Sequence, residues 1–207
     1  LVGVIGCLVV YVAGARLTHF LFLGLLAAPV LYSQLDVAFR ARRVIAYLDP
    51  SADPAGAGFQ VHQSLLAFGS GGVAGVGFGQ GRQKFGFLPE AHNDFIFAMI
   101  GEEWGLIGVT TMVLLYLLLV LIGFRVAARA PDLFGQLLAI GLTSMIAMQA
   151  ILHMAVGLRL VPATGLVLPL ISYGRSHLVV TLASLGILMS ISRASERSRP
   201  VGRRARA

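Results

Sequence analysis

Apolar residues gather into five stretches, Leu1–Ala15, Leu17–Leu35, Phe95–Phe124, Leu133–Leu158 and Leu166–Ile191, with polar or glycine-rich chain between them. A helix of about 20 apolar residues crosses a bilayer. The pattern therefore predicts an all-α fold, a polytopic transmembrane helix bundle of about five spans with one long extracytoplasmic loop. Only Arg16 and its neighbours part the first two stretches, so that turn is tight. The long loop, Asp36–Asn93, has three parts. Leu48–Gly58 holds Asp49-Pro50 and Asp53-Pro54 and reads as turns. Phe59–Phe68 reads as a short mixed helix at the membrane interface. Gly69–Gly81 has seven glycines in 13 residues, a density that lets backbone approach backbone or ligand closely. It is neither a dinucleotide fingerprint nor a Walker loop, because no strand precedes it and no Gly-Lys-Ser/Thr follows.

Composition agrees with the pattern. Of 207 residues, 57% are hydrophobic and 12% charged, against about 25% charged in an ordinary soluble domain. The mean hydropathy is +0.84. A soluble enzyme, a disordered chain and a coiled coil are excluded. The net charge of +7 comes from 16 Lys and Arg against 9 Asp and Glu. In a membrane protein such an excess signals topology and anionic lipid rather than nucleic acid. Residues 193–207 hold six Arg and one Glu and read as a disordered basic tail behind a membrane domain of residues 1–192. Positive residues favour the cytoplasm. This rule puts the tail, Phe124–Asp132 and Arg16 inside, and the long loop and the turn near Arg159 outside. The chain opens at Leu1 within an apolar stretch, without Met or a basic leader, and is expected to be a fragment of a longer membrane protein.

The third stretch carries the densest chemistry. Trp104–Gly123 is already 20 residues, enough to span, so Glu102 and Glu103 fall near the outer interface. In a continuous helix Asp94 lies about 12 Å further out, at the height of lipid phosphates. At helical spacing Asp94, Ala98, Gly101, Gly105 and Gly108 share one narrow stripe. The small residues in it predict close packing on another helix, with Asp94 facing protein rather than lipid. Acids at such a place mark function by default. The plainer alternative is that Asp94 caps the helix and that Glu102 and Glu103 pair with Arg. Glu90 and His92, just before Asp94, and Arg82-Gln83-Lys84, closing the glycine-rich stretch, complete the outer group of candidates.

The fifth stretch is interrupted by Ser172-Tyr173-Gly174-Arg175-Ser176-His177. A hexapeptide this polar must line a cavity or pack within the bundle. Arg175 is expected to meet Glu102, Glu103 or a phosphate. The isolated polar residues of the fourth stretch, Gln136, Thr143, Ser144, Gln149 and His153, read as interhelical hydrogen bonds. The five His residues show no metal spacing, and the single Cys7 reads as inert packing. A carboxylate base beside Arg and Lys suits group transfer from a lipid phosphate.

The stretch GFQVHQSLLAFGSGGVAGVGFGQGRQKFGFLPEAHNDFIFAMIGEEWGLIG (58–108) and the later LVPATGLVLPLISYG (160–174) closely resemble the SEDS proteins of shape, elongation, division and sporulation. Asp49-Pro50, Asp53-Pro54, Gln63-Ser64-Leu65 and Arg82-Gln83-Lys84 resemble the cell-division branch more than the elongation branch. The resemblance implies the later half of a roughly ten-helix peptidoglycan glycosyltransferase. Such an enzyme would polymerise lipid II at the outer face of the bacterial plasma membrane, at the division septum, with its C-terminus in the cytoplasm. It places the family's proposed catalytic Asp at Asp94, as general base for an inverting transfer. Glu90, His92, Glu102, Glu103, Ser172, Tyr173 and Arg175 become substrate-binding candidates with Arg82, Gln83 and Lys84, and Arg82 and Lys84 are candidates for holding pyrophosphate. The implied partners are a class B penicillin-binding protein and other divisome membrane proteins. No cofactor is expected, with a divalent cation left open.

Four positions depart from the family pattern. Asn93 stands for Thr, His153 for Asn, and Arg175 and His177 for Gly and Ser. Arg in a packed span costs about 2.5–3.5 kcal/mol. Two other readings use the same residues: a lipid II transporter, which needs paired broken helices, and a degenerate scaffold for the transpeptidase.

Overall fold

The computed structural model describes residues 2–33, 45, 47–48, 57–83, 94–162 and 164–197. They form six helices: α1 (Val2–Val12), α2 (Leu17–Ser33), α3 (Ala57–Gly71), α4 (Ile96–Arg129), α5 (Leu133–Gly157) and α6 (Arg175–Arg197). The described residues are all helix and loop, as the apolar pattern predicts. Three helices, α4, α5 and α6, are long and apolar enough to cross a membrane. The first two stretches give shorter helices of 11 and 17 residues. The second has Pro29 within it, which removes one backbone donor. The outward side chains of α4, such as Leu114, Leu115, Leu117 and Leu118, are half exposed, a surface suited to lipid as its solvent. Cys7, expected as packing, stands exposed on α1.

The turn between α4 and α5 follows from three residues. Ala130 takes φ −59 and ψ 139, the extended form imposed on a residue before proline. Pro131 then stops α4. Asp132 caps α5, its carboxylate accepting from the Gly135 N–H at 2.9 Å, an arrangement typically worth about 1 kcal/mol. At the far end of α5, Ser64 of α3 donates to the Gly157 carbonyl at 2.6 Å and is fully buried. The interface helix foreseen at Phe59–Phe68 is thus part of the bundle. Its Val61 and Ala67 pack with Phe95, Ala98, Met99 and Val156.

The stripe on α4 packs closely, with Ala98, Gly101, Gly105 and Gly108 all buried. A Cβ on Gly71 of α3 would collide with the Gly101 carbonyl. The helix is not continuous, however. Gly105 has φ 63 and ψ −157, a region open essentially to glycine alone. The break strands the carbonyls of Glu102 and Glu103 and the N–H groups of Leu106 and Ile107. All four find partners in the glycine-rich chain. Val76 N–H donates to Glu102 O at 3.0 Å and Gly77 N–H to Glu103 O at 3.1 Å. Leu106 N–H donates to Gly72 O at 3.0 Å and Ile107 N–H to Val73 O at 3.2 Å. The glycine-rich stretch is therefore a backbone insert into a broken helix, and the distance expected for Asp94 from a straight helix does not apply.

A second correction concerns Leu166–Ile171. It is expected as the outer part of the fifth span, yet only residues from Arg175 onward are helical. Gly165 at φ 66 and Leu170 at φ 70 turn the chain, and Pro169 cannot donate a helix bond. Irregular backbone among transmembrane helices persists only where protein satisfies it. Here the Tyr116 hydroxyl donates to the Pro169 carbonyl, and His153 Nδ1 lies 2.6 Å from the Leu166 carbonyl. The Leu168 N–H donates to Ser172 Oγ at 2.8 Å. Leu168 is buried against Phe97, Met112 and Ala150. His153 therefore holds a loop rather than another helix. At the opposite end, α6 continues through Arg197 instead of yielding to a tail at 193. Ser195 is buried there and donates to the Arg129 carbonyl at 2.5 Å.

Replacing Gly105 with Ala forces a side chain into the glycine-only region and against Val73 O at 2.6 Å. The expected loss is at least about 2 kcal/mol, read as a lowered melting temperature in detergent. An unchanged melt would show that the break is dispensable.

Candidate functional site

One end of the bundle gathers the start of α4, the end of α5, the start of α6, the glycine-rich insert and the 158–174 loop. Most sequence-predicted candidates that the structure describes lie there. Lys84, Glu90 and His92 fall outside the described residues. Asp94 is half-buried immediately before α4. It is not the helix cap. Phe95 occupies the cap position with no side-chain cap bond and is itself buried at the root of the helix.

Glu102 is only 3% exposed. Its carboxylate accepts from the Arg82 N–H at 2.8 Å and the Gln83 N–H at 3.3 Å. Glu103, one residue on, accepts from the Gly79 N–H at 3.0 Å. Two carboxylates thus bind backbone donors of the insert, one on each side of Gln80-Gly81. Hydrogen bonds to a charged group are worth about 1.5–3 kcal/mol each, which offsets the burial of Glu102. The main chain of Arg82 and Gln83 is held while the Arg82 side chain stays exposed. Gln83 Oε1 is buried with no hydrogen-bond partner among the described residues.

Ser172, Tyr173 and Arg175 stand in the other loop of the same end. Ser172 Oγ is engaged within the loop, while Tyr173 is 67% exposed. Arg175 meets Tyr173 rather than a glutamate, with Nη2 donating to Oη at 3.2 Å and the guanidinium 6.0 Å from the ring centroid. It is the exposed first residue of α6 rather than a residue packed inside the bundle. His177 lies half-buried one turn into α6, its Nδ1 3.4 Å from Thr181 Oγ1.

The two loops border a common cavity of about 350 Å³. Its walls include Phe78 of the insert, Ile96, Met99, Glu103 and Trp104 of α4, and Ile171 of the second loop. Phe78 and Trp104 meet edge to face at 6.2 Å. Apart from Glu103 and Thr111, the lining is apolar. Sequence reasoning missed this aromatic pair, although an exposed Trp beside two glutamates at a span boundary was a legible signal. Among the described residues no group of three His, Cys, Asp or Glu side chains is placed to hold a metal ion.

Exchanging Glu102 for Gln removes the charge and one acceptor facing two backbone donors. The expected cost is about 2 kcal/mol, and Glu102→Ala should cost more. Thermal unfolding and limited proteolysis near residues 79–83 would report it. Wild-type protease resistance in both variants would contradict the clamp.

The chain is similar to known proteins over most of its length. The chain is 48% identical over 191 residues to the probable peptidoglycan glycosyltransferase FtsW of Geobacter sulfurreducens, covering 92% of this chain and 51% of that protein. It is 47% identical over 191 residues to stage V sporulation protein E of Bacillus subtilis, covering 91% and 52%. The chain thus spans about half the length of these curated relatives. Among solved structures it resembles a chain of a peptidoglycan synthase complex that coordinates polymerization and crosslinking, at TM-score 0.65 and 33% identity over 90% of this chain and 52% of that one. It also resembles the rod shape determining protein RodA of Thermus thermophilus, at TM-score 0.56 and 29% identity over 96% and 64%. Residues 1–197 match the FtsW/RodA/SpoVE family model, described as cell cycle protein. With its three span-length helices, the chain is a multi-pass membrane protein of the FtsW/RodA/SpoVE family, the SEDS family that its motifs resemble.

Proposed function

We propose that the chain is part of a peptidoglycan glycosyltransferase that polymerises lipid II at the outer face of the bacterial plasma membrane. The observation that carries this reading is the pairing of Asp94 with its surroundings. A half-buried carboxylate stands two residues from Ile96, which lines an apolar cavity reaching down the membrane face of α4. A lipid-linked sugar has that shape: an isoprenoid chain for the cavity and a pyrophosphate sugar at its mouth.

In the proposed reaction Asp94 accepts the proton of the acceptor sugar 4-hydroxyl. The freed oxygen bonds to the muramyl anomeric carbon with inversion, and the carbon–oxygen bond to undecaprenyl pyrophosphate breaks. Arg82 and Lys84 balance the charge of the departing pyrophosphate. The anchored main chain at Arg82, with its side chain exposed, supports this role by leaving the guanidinium accessible. The names of the relatives and the synthase complex support an enzyme of cell-wall synthesis that works beside a crosslinking activity; a class B penicillin-binding transpeptidase and other divisome membrane proteins are the partners in this reading. Two branches, division and sporulation, match nearly equally; the motifs at residues 49–54, 63–65 and 82–84 favour the division branch over the elongation branch, and with it the septum. Arg125 and Arg129 share one end of the bundle with Arg193 and Arg197. By the positive-inside rule that end, and the C-terminus with it, is cytoplasmic.

The test is polymerisation of purified lipid II by the full-length protein with its transpeptidase. A general base contributes typically 10²–10⁴-fold, so Asp94→Asn should lower the rate by about 100-fold or more while membrane insertion persists. Full activity in that variant would remove Asp94 from the mechanism. Translocation of lipid II without consumption would instead identify a transporter.

A further inference from the structure

The end of the bundle opposite Asp94 carries a feature that the glycan chemistry does not use. Between α4 and α6 runs an apolar groove of about 540 Å³, walled by Leu115, Leu119 and Val126 on one side and Leu182, Leu185 and Met189 on the other. Ile122, Val126 and Ser192 also line a second, polar cavity of about 180 Å³, so the two adjoin. Arg125, Arg129, Ser195 and Glu196 complete the polar cavity. A neighbouring cavity along α6 adds Arg193 and Arg197. Two arginines thus line the polar cavity with one glutamate beside the apolar slot, and two more line the neighbouring cavity on α6.

Two measures point to the occupant. From Leu115 to Val126 the groove extends about 16 Å along the helix, close to half of the ~30 Å hydrocarbon core, the depth of one leaflet. The charge at its mouth is positive, with hydroxyl groups interleaved. Basic pockets between transmembrane helices suit anionic head groups, and arginine suits phosphate in particular. The mouth is also rigid, because Ser195 ties α6 to the last turn of α4 through the Arg129 carbonyl. We infer that the α4–α6 groove is a binding site for one anionic diacyl phospholipid, with an acyl chain along Leu115–Val126 and its phosphate at Arg125 and Arg129.

The experiment is native mass spectrometry of the full-length protein in mild detergent, with dioleoyl phosphatidylglycerol or dioleoyl phosphatidylcholine added. The wild type should retain one phosphatidylglycerol at least 10-fold more tightly than phosphatidylcholine. The double variant Arg125→Gln/Arg129→Gln should lose that preference, and Arg125→Lys/Arg129→Lys should keep most of it. Leu119→Trp fills the slot without touching charge and should weaken retention of phosphatidylglycerol about as much as the double Gln variant does. A photocrosslinker at position 119 should capture lipid. Equal retention of the two lipids by the wild type, unchanged preference in the double Gln variant, or crosslinking of position 119 to another helix of the protein would each overturn the site.

Discussion

The four backbone hydrogen bonds around Gly105 are the constraint on which the candidate site depends. A transmembrane helix normally satisfies its own peptide groups, and an interruption within lipid would cost several kcal/mol for each group left bare. Here the interruption is filled by another part of the same chain. Residues 72–77 supply two donors and two acceptors that match those released by the break. Because partners are exchanged rather than lost, the helix can turn within the bundle at little net cost in hydrogen bonding. The segment 96–104 is then free to take a direction of its own, and Asp94 is carried on it.

The glutamates extend the same logic from backbone to side chain. Glu102 and Glu103 present main-chain carbonyls to Val76 and Gly77 and carboxylates to Arg82, Gln83 and Gly79. Two consecutive residues hold a stretch of insert from both directions. The second loop is held by a different device. Tyr116 and His153 reach from two transmembrane helices to the carbonyls on either side of Leu168. Both loops are thus docked on the same helical frame. The apolar cavity between them is set by that frame rather than by either loop alone.

The long helices were legible in the sequence because hydropathy reports burial in lipid directly. Leu133–Leu158 and the body of α4 needed nothing more. The close packing of Ala98, Gly101 and Gly108 followed from helical spacing. Other features depended on partners remote in the chain. A glycine such as Gly105 permits either tight helix packing or a break, and the choice lies with chain some 30 residues earlier. Leu166–Ile171 is as apolar as half a span, so hydropathy cannot separate a helix from a buried loop held by Tyr116 and His153. Glu102 was visible as an acid near a membrane boundary. Its role was not, because it binds backbone N–H groups, which carry no side-chain signature.

The repaired break also bears on how the protein is made. The insert precedes α4 in the chain, so it emerges from the ribosome before the helix it completes. Residues 106–124 form a charge-free, largely apolar run that can enter the bilayer alone. The glycine-rich chain must meanwhile keep its peptide groups in water. Segment 96–104 and the insert can close on each other only after both have reached the same side of the membrane. Completion of the candidate site is therefore a late, post-insertion step of biogenesis, and a chain stalled before it would be integrated in the membrane yet have no formed site.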